Sequence, residues 1–199
     1  MGNIEKIKYL RKIKKYALEH NIPIIHGETL IFLQKIIKKN NLINILEIGS
    51  AIGYSALAMS NEQNHIQTIE RDFHKYKLAL HLLEKTTFNI EFIWSEALFY
   101  QPTKKYDLIF IDAAKVQYQK LFQKYNLFLN ENKFIICDNL NFHDLCIDNP
   151  DISRSTRRLI IKMNEFKVFL QKNYFFTTFF LNIGDGLSIS RKNINKLDY

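Results

Sequence analysis

The apolar positions of this chain follow two rhythms. Ile4, Ile7, Leu10, Ile13 and Ala17 recur at three- and four-residue spacing with lysines and Arg11 between them, which predicts an amphipathic first helix. Asn21-Ile22-Pro23 breaks it. Leu30, Leu33, Ile36 and Ile37 give a second helix over 28–39 its inward face. Short apolar runs then take over, at 43–48, 66–70, 90–94, 107–112 and 133–138. Segments with helical character separate them, at 54–60, 73–85 and 116–129. The run 107–112 is apolar on both faces, which predicts a central strand. A polar loop over 141–153 leads into a helix over 153–172, with Leu159, Met163, Phe166 and Leu170 inward. Two further runs, 175–183 and 187–191, flank Gly184-Asp185-Gly186, a hairpin signal. Strands alternating with helices predict one α/β domain with a doubly wound, mostly parallel sheet and an antiparallel C-terminal hairpin. Residues 1–40 form extra N-terminal helices and 41–199 the core; no repeat or linker divides them.

Composition narrows this little. The 199 residues are 47% hydrophobic, enough for one sizeable core. A net charge of +8 suits a polyanionic partner such as nucleic acid, and it also serves general solubility. Cys137 and Cys146 have neither metal-ligand spacing nor the numbers of a disulfide framework, so a reducing cytoplasm is expected. No stretch approaches the ~20 apolar residues of a membrane span, and the charged N-terminus is no signal peptide. Lys6 stands where a myristoylation signal needs Ser or Thr. No membrane partner is expected; the first helix packs on its own domain or on a second subunit.

The candidate chemistry gathers at the ends of the strands. Ile45 to Ser55 reads as a buried strand, a glycine turn and a helix start, whose free N–H groups favour an anionic group. The spacing is Glu-x-Gly-x-x-x-Gly, not the dinucleotide Gly-x-Gly-x-x-Gly, which points to a ligand bearing a carboxylate. Glu70 follows the turn by about 20 residues, where an acid bonds ribose hydroxyls. Glu47, Glu70, Asp112 and Asp138 all end strands, and Asn139 follows the last. Any one of these acids could simply cap a helix. Asp112, Asp138 and Asn139 together offer hard oxygen ligands on adjacent strand ends, a set suited to Mg²⁺. Lys115, three residues after Asp112, is a candidate general base, because neighbouring positive charge disfavours its ammonium form. Of six histidines only His143, in the polar loop, is a functional candidate. Trp94 ends a strand beside the expected adenine pocket, and a core role fits it equally. Arg154, Arg157, Arg158 and Lys162 share faces of one helix and suit RNA phosphates or plain solvent.

These residues resemble a known family. Leu46-Glu47-Ile48-Gly49-Ser50-Ala51-Ile52-Gly53-Tyr54-Ser55 is similar to the first motif of the S-adenosylmethionine- and metal-dependent O-methyltransferases of the catechol and caffeoyl-CoA type. Phe110-Ile111-Asp112-Ala113-Ala114-Lys115, Cys137-Asp138-Asn139-Leu140 and Gly184-Asp185-Gly186-Leu187 match later motifs in order. The resemblance implies a Rossmann-like class I methyltransferase fold binding S-adenosylmethionine and Mg²⁺ or Mn²⁺. It implies that Ile25, Glu47, Gly49, Gly53, Ser55, Glu70, Glu96, Ala97 and Asp112 hold the cofactor. Asp112, Asp138 and Asn139 would hold the metal, and Lys115 with Asp112 would act in catalysis. Ser95-Glu96 replaces the family's usual Gly-Asp, and Ile25 a frequent methionine. Within the family, Asp112-Ala113-Ala114-Lys115-x-Gln117-Tyr118 and Asn21-Ile22-Pro23-Ile24-Ile25 look most like the bacterial tRNA 5-hydroxyuridine methyltransferases. That likeness implies a tRNA anticodon loop as partner, a wobble 5-hydroxyuridine as methyl acceptor, and a homodimer. The alternative acceptor is a catechol-like small phenol.

Overall fold

The computed structural model describes residues 3–141 and 152–193. Its elements run α1 (Asn3–Glu19), α2 (Gly27–Lys39), β1 (Asn44–Ile48), α3 (Tyr54–Met59), β2 (His65–Glu70), α4 (Phe73–Leu83), β3 (Ile90–Trp94), β4 (Tyr106–Ile111), α5 (Tyr118–Tyr125), β5 (Leu129–Cys137), α6 (Arg154–Lys172), β6 (Phe176–Leu181) and β7 (Leu187–Lys192). The sheet has seven strands in the order β3-β2-β1-β4-β5-β7-β6. The first five are parallel; β7 runs antiparallel to β5, and β6 pairs antiparallel to β7 at the edge. The expected doubly wound sheet with an antiparallel hairpin is therefore the fold observed.

Strand parity decides which helices cover which face. Leu46, Ile48, Ile109, Ile111 and Ile135 point to one side, into a cluster with Tyr118, Phe122 and Tyr125 of α5 and Met163, Phe166 and Leu170 of α6. Ile45, Ile66, Leu108, Phe110 and Ile136 point to the other, against Leu33 and Ile37 of α2 and Ala56 and Met59 of α3. Ile13 and Ala17 of α1 join Leu57 of α3 and Leu82 and Leu83 of α4 in a third cluster on that same side. All six residues of β4 are buried, which agrees with its apolar run on both faces.

Three expectations are corrected in detail. The segment 116–129 is not one helix: 3-10 turns at Lys115–Gln117 and Asn126–Phe128 flank α5, and Leu129 already opens β5. Leu159 is only half-buried, and Ile160 takes the inward place at the start of α6. On α1 the apolar face is buried only from Ile13 onward, and Ile4 and Ile7 are exposed. The loop expectation over 141–153, with its candidate His143 and Cys146, falls largely outside the described residues. Among the described residues no helix is long and apolar enough to cross a membrane.

Candidate active site

The strand order reverses between β1 and β4, and a crevice opens beyond their carboxyl ends. The chain there turns sharply. Asp112 N–H donates to Ile48 O at 3.0 Å, and Gly49 N–H donates to Ile69 O at 2.9 Å. Gly49 has φ of +101°, and a Cβ on it would lie 2.0 Å from Asp112 O. A residue without a side chain is thus required for β1 and β4 to close on each other. Gly53 serves another purpose. It caps α3 in the left-handed region, and a Cβ there would press on Leu83 and Phe92. Its bareness lets the turn pack on α4 and β3.

A cleft of 210 Å³ lies above this turn, lined by Gly49, Ala51, Glu70, Glu96, Ala97, Asp112 and Gln117 among others. Five of the expected cofactor residues, Gly49, Glu70, Glu96, Ala97 and Asp112, meet here. Glu70 is fixed as a rigid acceptor: its two carboxylate oxygens take the Ala51 and Asp72 N–H groups, each at 2.8 Å. Glu96 lies 3.6 Å from Arg71, so its charge is shared at the rim. Ala97 is pinned from behind by the Tyr125 hydroxyl, which donates to its carbonyl at 2.7 Å. Ile25 sits in the core cluster beside α2, and Pro23 reaches the cleft wall in its neighbourhood.

Glu47 and Ser55 lie beneath the turn. Glu47 is fully buried and accepts from the Thr68 hydroxyl at 2.5 Å, across the β1–β2 register. Burial pushes its pKa up to about 7; the Ser55 and Thr68 hydroxyls pull it back, and the charges of Asp112 and Glu70 push it further. Its Oε1 and the Ser50 hydroxyl are buried atoms with no hydrogen-bond partner among the described residues. Unsatisfied buried polar atoms beside a cleft are what a polar ligand would complete. The Glu70 carboxylate on the cleft wall and the buried Glu47 and Ser50 oxygens behind the turn are a polar set compatible with a cofactor such as S-adenosylmethionine.

Next to the cleft, β4 and β5 deliver two acids side by side. Asp138 is 1% exposed, and its pKa is pushed up to about 6, first by burial and then by the charge of Asp185, against help from its bond to Asn139 N–H and from Lys115 and His26. Asp112 is pushed up to about 7 by burial and by Asp138 and Asp185, with Lys115 opposing. Lys115 thus stands within electrostatic reach of both acids, as the first residue of the 3-10 turn that precedes α5. Asn139 takes a left-handed φ of +56°, and its amide nitrogen donates to Asp185 Oδ2 at 3.0 Å. That bond uses the donor end and leaves the amide oxygen as the end a cation needs. Among the described residues no three His, Cys, Asp or Glu side chains converge as a closed metal site. Two mutually repelling carboxylates and one amide form a sparse oxygen set, which fits a cation that keeps several waters.

Sequence reasoning missed Asp185 and His26. The β6–β7 turn is clasped to the site by Leu140 N–H to Gly186 O and Asn141 N–H to Asp185 O, both at 2.9 Å. On its other side, a Cβ at Gly184 would meet Thr29 and His26. The hairpin signal in the sequence was legible; its return to the acids was not. Trp94, for which pocket and core were equally open, is 56% exposed on the rim. Arg154, Arg157 and Arg158 are exposed on the first turns of α6, and Lys162 pairs with Glu165 at 2.7 Å. A larger hollow, of 1040 Å³, lies at the opposite end of the sheet between Lys6, Gln34, Lys38, Met59 and Phe88, away from every one of these groups.

Comparison with known proteins adds a lineage to this geometry. A model of the O-methyltransferase family matches residues 3–193. The chain is 30% identical to tapetum-specific methyltransferase 1 of Arabidopsis thaliana, over 96% of this chain and 87% of that protein. It is 27% identical to the caffeoyl-CoA O-methyltransferase of Populus kitakamiensis, over 96% and 88%. Among solved structures, a Staphylococcus aureus protein assigned to the caffeoyl-CoA O-methyltransferases superposes with a TM-score of 0.86 at 35% identity, covering 92% of each chain. A Bacillus cereus O-methyltransferase in complex with SAH shares the fold, with a TM-score of 0.79 at 20% identity over 94% of this chain and 91% of that one.

Proposed function

We propose a function for this chain, which belongs to the O-methyltransferase family by a match over nearly its whole length. It moves the methyl group of S-adenosylmethionine to an acidic ring hydroxyl. The acceptor is the 5-hydroxyuridine at the wobble position of a tRNA anticodon loop, which becomes 5-methoxyuridine. The observation that carries the chemistry is the meeting of Asp112, Asp138 and Lys115 beside the cleft. The net charge of +8 and the exposed arginines of α6 support an RNA acceptor. A catechol-like phenol is the second reading, favoured by the activity named for the poplar relative.

When bound, S-adenosylmethionine supplies an electrophilic methyl group, and Mg²⁺ or Mn²⁺ at Asp112, Asp138 and Asn139 supplies a Lewis acid toward the acceptor oxygen. The chain's own groups do the rest. Glu70, held by two backbone amides, fixes the ribose end. Lys115 receives the hydroxyl proton or holds the resulting oxyanion by its charge. A carbon–oxygen bond forms as the carbon–sulfur bond breaks, and positive and negative charge disappear together. The site therefore gains most by holding the two reactants in one orientation.

The test is to incubate the protein with labelled S-adenosylmethionine and Mg²⁺, offering tRNA that contains 5-hydroxyuridine and, separately, a catechol. Nucleoside mass spectrometry should find methoxyuridine. Label in the catechol alone would replace the RNA reading with the second one. Asp138→Ala should lower kcat by ~100-fold, in line with losing one electrostatic stabiliser, while SAH affinity stays. Full activity in metal-free buffer would remove the cation from the mechanism.

A further inference from the structure

A second hollow adjoins the cofactor cleft and shares its rim. It is lined by Arg71, Asp72, Trp94, Ser95 and Glu96, of which Arg71, Ser95 and Glu96 also line the cleft. Trp94, 56% exposed, lines it, and Phe73, 45% exposed, packs against Trp94 with ring centroids 4.7 Å apart and planes tilted by 59°. Tryptophan is usually well buried, and scattered exposed aromatics are ordinary, but two in contact beside a binding cleft are not scattered. The pair is also held rigidly. Trp94 ends β3, and its indole N–H donates to Arg71 O at 3.1 Å. Phe73 opens α4, whose start is fixed by Asp72 accepting from His74 and Lys75 N–H.

The surroundings specify what such a surface holds. Arg71, His74, Lys75 and Lys77 stand at the strand end and on the first turns of α4; of the two acids lining the hollow, Asp72 is spent on the helix cap and Glu96 is offset by Arg71 at 3.6 Å. Rings that offer faces, beside basic side chains that reach phosphates, form the combination that binds unpaired nucleotides. An isolated apolar patch for a protein partner would not carry this charge.

We propose that Trp94 and Phe73 form a stacking shelf for an unpaired base of the RNA acceptor, flanking the nucleotide that is methylated. The inference rests on the RNA reading of the function and adds to it a second contact point at the adenine end of the cleft. Stacking is tolerant of base identity, so the shelf positions the loop without reading its sequence. It touches no reacting atom.

Trp94 is the only tryptophan in the chain, so its emission reports the shelf alone. The protein is first saturated with SAH and then titrated with an anticodon stem-loop RNA, while binding is followed independently by anisotropy of a labelled RNA. The expected result is quenching of Trp94 that tracks binding, with affinity reduced about tenfold in Trp94→Ala and largely kept in Trp94→Phe. RNA that binds with unchanged emission overturns the shelf and leaves the RNA reading standing. RNA that does not bind overturns the RNA reading, and the shelf with it. Emission that changes with SAH and no further with RNA assigns the rings to the cofactor and overturns the proposal.

Discussion

Gly49 shows how much one side chain can decide. Its φ of +101° and the 2.0 Å approach of Asp112 O leave no room for a methyl group against backbone, which cannot swing aside. Gly49→Ala should destabilise the fold by ~3 kcal/mol or more, measured by urea unfolding. Gly53→Ala should cost less, because Leu83 Cδ1 is the end of a flexible side chain. Glu47 makes a second prediction at this scale. Its folded pKa, raised to about 7 by burial, exceeds the unfolded value of 4.5. The folded state thus binds the proton more tightly, and stability from this group is lost as pH rises between those values. Unfolding free energy should fall across that window in the wild type and stay flatter in Glu47→Gln. A cation placed beside Oε1 favours the carboxylate, so SAH affinity should rise with pH toward 7 and lose that rise in the variant.

At the scale of elements, the periodicities placed every strand and helix, and failed where ends are set by tertiary contact. The helical rhythm of 116–129 runs through both 3-10 turns, yet Tyr118 is held by its hydroxyl to Asp138 O, and Asn126 ends the helix by local bonds to Phe122 O and Gln123 O. The Tyr118 bond is invisible in the local pattern. Ser153 behaves as a serine before a helix should: its hydroxyl accepts from Thr156 N–H at 3.0 Å and starts α6. That start exposes Arg154, Arg157 and Arg158, and one turn later Lys162 is paired with Glu165. Arg157→Glu with Arg158→Glu should therefore reduce RNA affinity at low salt by roughly tenfold or more. Unchanged affinity in a filter-binding assay would take α6 out of the RNA surface.

For the molecule as a whole, charge is unevenly spread. Nine of the 28 lysines and arginines, and three of the 20 acids, fall in residues 1–40. RNA affinity is expected to depend on more than α6. With about four phosphate contacts, log affinity should fall against log salt with a slope of about −3 for a single-stranded loop. Turnover of a neutral catechol should be nearly insensitive over the same range. Equal salt sensitivity of the two substrates would speak against a charged RNA surface.

The alternation of strands and helices, the glycine turn and the acids at the strand ends were all readable along the chain. They follow from local periodicity and from the few residues that tolerate a positive φ. The family was readable too, since four motifs occur in order. Which groups meet was settled by folding alone. The β6–β7 turn comes back so that Asp185 joins Asp112 and Asp138. Ile25 goes into the core and Pro23 to the cleft, and Trp94 lies at the rim beside Phe73. Those pairings join residues far apart along the chain, and their energies depend on burial and on neighbouring charge, neither of which a linear pattern contains.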